Sequence, residues 1–121
     1  MRYGDGDNPM LNSVQCADHL AGQFIEDILS GPNGDNTVIA VMSDHLAMVN
    51  SVTDLLTAGP RRNLFMILDR QTDQPGRTID RRGTTLDIGP TLLSYLGFDV
   101  PRMGLGADLL GASPTLPETL D

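Results

Sequence analysis

The hydrophobic pattern divides the chain into helical stripes and short continuous apolar runs. Asn12 or Ser13 can cap a helix reaching about Leu29, along which Val14, Leu20, Phe24, Ile25 and Ile28 recur near helical spacing. The stretch Ser30-Gly31-Pro32-Asn33-Gly34-Asp35-Asn36 ends it, since Gly and Pro break helical backbone. Thr37 to Met42 is an apolar run rich in β-branched residues, which predicts a strand buried on both faces, as in a parallel sheet. A second helix is expected from Ser51 to Ala58, stopped by Gly59-Pro60, and a second strand of the same character over Asn63 to Leu68. Asp69 to Gly76 is polar and turn-like. Arg77 to Arg82, whose one apolar residue is Ile79, reads as a short edge strand. A third helix is expected from Thr85 to Leu96, capped by Thr84 or Thr85 and stopped at Gly97, with Pro90 marking a kink or a restart.

Helix, strand and short loop in alternation give an α/β fold. Two strands are too few for a stable parallel sheet, so either the chain dimerises or the remaining strands belong to residues outside this sequence; the second is the expectation here. Residues 1–11 read as a flexible start, cut inside a loop, 12–111 as the folded portion, and 112–121 as a flexible tail.

Composition narrows the partners. The chain has 121 residues and a net charge of -8, and all its basic residues are Arg. An acidic surface with no basic stripe argues against a nucleic-acid backbone as partner, because that contact depends on phosphate neutralisation. Aromatic residues are 4% and Trp is absent, so the core must come from Leu, Ile, Val, Met and Ala, and Met42, Met48 and Met66 read as core filling. Cys16 has no partner for an internal disulfide and is expected on a buried helix face. No apolar run is long enough to span a membrane.

Ser43-Asp44-His45 directly follows the first strand, and ligands of open α/β sheets gather at the carboxyl ends of strands. A carboxylate beside an imidazole suits a shared divalent cation, the alternative being a capping Asp with an exposed His. Three blocks extend the signal. Asn36 to His45, then Arg82-Gly83-Thr84-Thr85-Leu86-Asp87-Ile88-Gly89-Pro90-Thr91-Leu92-Leu93-Ser94-Tyr95-Leu96-Gly97, then Gly104-Leu105-Gly106-Ala107-Asp108-Leu109-Leu110-Gly111 resemble, in order and spacing, the late metal-binding strand, the helix and the closing loop of the alkaline phosphatase and sulfatase superfamily. Ser43 to Met48 followed by Asn63-Leu64-Phe65 is most similar to its bacterial phosphoglycerol transferases, with lipoteichoic acid synthases as near relatives.

That resemblance implies a C-terminal piece of a partial αβα sandwich with few strands, and Asp44 and His45 as metal ligands. The implied cofactor is a divalent cation, Mn2+ first and Mg2+ or Zn2+ as alternatives, weakly bound by the piece alone. For the whole protein it implies an inner-membrane enzyme with a periplasmic catalytic domain, moving phosphoglycerol from phosphatidylglycerol to periplasmic glucan. The Thr nucleophile and the remaining ligands have no match here, so the piece is expected to be inactive by itself and to self-associate through open sheet edges.

Other candidates weigh less. Asp18-His19 repeats the dipeptide, but on a helix, where neighbours diverge by about 100°. Arg82, beside Arg81 ahead of the third helix, is the candidate contact for an anionic head group, against a solvated turn. The competing functions are a small independent acidic α/β binding module and a hydrolase fragment of the sulfatase or phosphodiesterase type. A receiver-like signalling domain is set aside because the chain has no Lys.

Overall fold

The structure, a computed structural model, describes residues 1–72 and 76–120 and divides into two units, Met1–Asp73 and Gln74–Asp121. The first unit opens with helix α1 (Pro9–Ser30). It starts earlier than the apolar stripe suggests because Asn8 caps it, its side chain accepting from the N–H groups of Met10 and Leu11 at 3.0 and 3.2 Å. Pro9 at the first helical position has no N–H to leave unsatisfied. Asn12 instead ties down the lead-in, accepting from Tyr3 N at 2.7 Å and donating to the Gly6 carbonyl at 2.8 Å.

Strands β1 (Val38–Met42) and β2 (Phe65–Asp69) flank the short helix α2 (Thr53–Thr57). Both strands fall where the apolar runs place them, but they pair antiparallel, Val38 opposite Asp69 and Met42 opposite Phe65, rather than parallel. A continuous apolar run reports tolerance of burial on two faces and carries no information on direction. The ladder extends one step further, with Ser43 N donating to the Leu64 carbonyl and Leu64 N to Ser43 Oγ, each at 3.0 Å.

Burial departs from expectation. Helix α1 buries none of its residues, and Val14, Leu20 and Phe24 are all exposed. Cys16, expected on a buried face, is exposed as well, and so are Met42, Met48 and Met66, expected as core filling. Helical periodicity identifies the apolar face of α1 without supplying an element to cover it.

The second unit has no strand at Arg77–Arg82; the backbone there is irregular, and the Arg82 carbonyl accepts from Thr115 Oγ1 at 2.5 Å. Thr84 opens the next element through a capping box with Asp87. A single 3-10 turn, Thr85–Asp87, leads into helix α3 (Ile88–Tyr95). Pro90 thus lies in the first α turn and marks a restart rather than a kink. Gly97, at φ 88°, ends the helix in the left-handed region. A two-residue hairpin, β3 (Arg102–Met103) with β4 (Gly106–Ala107), follows. The segment 112–121, expected as a flexible tail, contains helix α4 (Leu116–Leu120).

The buried groups of this unit are largely polar. Asp87 Oδ1 accepts from Ala107 N at 2.7 Å, while its Oδ2 accepts from Thr84 N at 2.6 Å and Thr84 Oγ1 at 3.2 Å. Thr91 Oγ1 donates to the Asp87 carbonyl at 2.6 Å and accepts from Leu109 N at 2.9 Å. Ser94 Oγ donates to Asp108 Oδ2 at 2.8 Å. Gly106 permits the close approach, since a Cβ there would lie 2.0 Å from the Leu86 carbonyl oxygen. The motif of Asp87 to Gly97 is therefore a fastening for the closing loop.

Candidate metal centre

Asp44 and His45 follow β1 immediately and are open to solvent, with 87% and 60% of their side chains exposed. Two backbone interactions set their orientation. His45 N donates to Asp44 Oδ1 at 2.8 Å, which leaves Oδ2 available. His45 Nδ1 lies 2.7 Å from the Leu46 carbonyl oxygen. A carbonyl only accepts, so Nδ1 carries the proton in this contact, and in the neutral ring Nε2 holds the lone pair.

Nε2 and Asp44 Oδ2 stand 3.5 Å apart. A divalent cation about 2.1 Å from each donor would see them at about 110°, near the tetrahedral angle. A ring N–H held by a main-chain carbonyl is also the usual support of a metal-bound His. The donor pair fits a divalent cation. Among the described residues no group of three or more His, Cys, Asp or Glu is gathered to hold a metal, so the pair offers two donors and no more.

The pair opens into a cleft of about 550 Å³, whose lining also includes Ser43, Leu56, Arg61 and Arg62. The Arg61 guanidinium donates to the Ala47 carbonyl, bracing the loop that leaves His45. Sequence reasoning passed over both arginines. The antiparallel pairing of β1 and β2 puts the start of β2 beside the end of β1, so residues just ahead of β2 reach the rim that carries Asp44 and His45. Parallel strands would have put those residues at the opposite rim. The available signal was Arg61-Arg62 directly before the second apolar run.

The other candidates lie elsewhere. His19 and Asp18 are on the exposed surface of α1. Arg82 belongs to the second unit and is not without an interaction partner. Its neighbour Arg81, expected in a solvated turn, is a structural hub. Its guanidinium donates to the carbonyls of Gly111 at 2.8 Å and Ser113 at 2.9 Å, and pairs with Glu118 Oε2 at 2.6 Å. The Arg81 hydrogen bond, aided by that of Thr115 N, lowers the Glu118 carboxyl to about 2, and Glu118 in turn raises Arg81.

The Sulfatase family model matches residues 5–98. A phosphoglycerol transferase I from Xanthomonas euvesicatoria pv. vesicatoria is 38% identical over 105 residues, which cover 87% of this chain and 15% of that protein. The phosphoglycerol transferase I of Citrobacter koseri is 39% identical over 104 residues, 85% of this chain and 13% of the relative. That of Salmonella choleraesuis is 38% identical over 109 residues, 89% of this chain and 14% of the relative. The chain thus spans about 15% of the length of such relatives. No solved structure matches.

Proposed function

The chain belongs to the sulfatase family, with its α/β fold represented here by few strands, and from that premise we propose that it is part of a metal-dependent phosphoglycerol transferase. The carrying observation is the donor pair, Asp44 Oδ2 and His45 Nε2 held 3.5 Å apart at the end of a strand, in a chain related to proteins named phosphoglycerol transferase I. In the whole enzyme, an inner-membrane protein with a periplasmic catalytic domain, phosphoglycerol passes from phosphatidylglycerol to a periplasmic glucan. Asp44 and His45 are two ligands of a divalent cation, Mn2+ in the first instance. Such a cation lowers the pKa of a bound hydroxyl and neutralises charge building on phosphoryl oxygens.

This chain's own residues have narrower tasks. Asp44 supplies a hard anionic oxygen. His45 supplies Nε2, kept in the right tautomer by the Leu46 carbonyl. Arg61 holds the loop through Ala47. Two donors make half of a four-coordinate site, so the chain alone binds metal weakly and does not transfer phosphoglycerol. Exposed apolar residues on α1 and the outer edges of the β1–β2 pair favour self-association of the isolated chain.

The test is a Mn2+ titration of the chain observed by NMR. Paramagnetic broadening should reach the His45 ring before that of His19, with affinity weaker than micromolar. Broadening at His19 first, or none at His45, would remove the metal assignment. Micromolar or tighter binding at His45 would refute the half-site.

A further inference from the structure

We propose that Arg62 is the residue in this chain that binds the phosphate oxygens of the transferred phosphoglycerol group; the inference rests on the reading of Asp44 and His45 as metal ligands. Three observations converge on it. Arg62 lines the same cleft as the donor pair. Its companion Arg61 is already committed to the Ala47 carbonyl, whereas Arg62, which is exposed, has no hydrogen-bond or ion-pair partner among the described residues. Charge supplies the third: in a chain of net charge -8 with 8 basic residues, two of those residues line this one cleft, against a single carboxylate, Asp44.

An arginine suits the task. Its planar guanidinium offers paired N–H donors that match two oxygens of a phosphate, and it stays charged at any working pH. Asp44 and His45 would hold a cation whose charge attracts the same anion, and Arg62 lines the cleft they share. The antiparallel strand pair is what makes this possible, because it carries the segment before β2 to the rim where β1 ends.

The experiment uses the full chain, saturated with Mg2+ so that spectra stay sharp, and titrates it with glycerol 1-phosphate while NMR follows the Arg62 side chain and the His45 ring. Binding should shift both. Arg62→Gln should weaken binding on the order of tenfold, as expected for losing a hydrogen bond to a charged group. Arg62→Lys should fall between, and Arg77→Gln, which alters net charge equally in the second unit, should change nothing. The metal reading is checked separately, because a Mn2+ titration of Arg62→Gln should broaden His45 as in the unaltered chain. If metal reaches His45 while Arg62→Gln binds glycerol 1-phosphate as well as the unaltered chain, the role of Arg62 is refuted and the metal site stands. An equal loss in Arg77→Gln would likewise refute it, reducing the effect to overall charge. If metal never reaches His45, the metal reading fails and the inference falls with it.

Discussion

Replacing Asp87 by Ala tests whether the second unit is fastened by polar groups rather than by an apolar core. The carboxylate is fully buried and accepts three hydrogen bonds, from Ala107 N, Thr84 N and Thr84 Oγ1. Ala107 is fully buried too, so its N–H would be left without a partner, at a cost of about 1–3 kcal/mol. Loss of the capping box at Thr84 adds roughly 0.5–2 kcal/mol. Together the substitution should destabilise the unit by about 2–4 kcal/mol after partial relaxation. Asp87→Asn retains one carbonyl oxygen for Ala107 but turns a donor toward Thr84 N–H, and should cost less than Asp87→Ala. Urea unfolding followed by far-ultraviolet circular dichroism gives the stability, and amide exchange at Ala107 and Thr84 gives the location. A loss under about 0.5 kcal/mol, or an unchanged exchange rate at Ala107, would refute the reasoning.

Acid stability provides a second check. Glu118 has a folded pKa of about 2 against an ordinary 4.5, so between those values the unfolded state binds more protons. Its contribution is complete above pH 4.5 and disappears as pH falls toward 2. Glu118→Gln should therefore flatten the stability profile in that window relative to the unaltered chain, and superimposable acid limbs would exclude the Arg81 latch. Sedimentation velocity tests the exposed apolar surface: the isolated chain should sediment faster as its concentration rises, while a concentration-independent monomer would contradict self-association.

Much of the local structure was legible from the residues. The apolar runs mark Thr37–Met42 and Asn63–Leu68 as strands, Gly97 is readable as a helix stop, and Thr84 or Thr85 as the cap, between which the structure chooses Thr84. The order of three motif blocks pointed to the sulfatase family, and the dipeptide after β1 to the candidate metal pair. Strand direction was not legible, because a five-residue apolar run reads the same in either orientation. That one ambiguity also hid Arg62: only the antiparallel register carries it to the rim of Asp44 and His45. Asn8-Pro9 is the sequence signal for the true start of α1, which lies ahead of the apolar stripe.

In the second unit the polar side chains of Asp87, Thr91 and Thr115 are buried, as is apolar Ala107, and each of the three finds its partner within the same unit. A hydrogen-bond network closes over short distances, so a few dozen residues can complete one. Apolar surface is different, since it is removed from water only by a second surface of comparable area. Helix α1, with Val14, Leu20 and Phe24 exposed, has the stripe of a packed helix but not the packing. The chain spans only 15% of the length of a relative that it matches. The second unit should accordingly hold its structure with less help than the first, and the candidate metal pair, which sits in the first, depends more on what surrounds it.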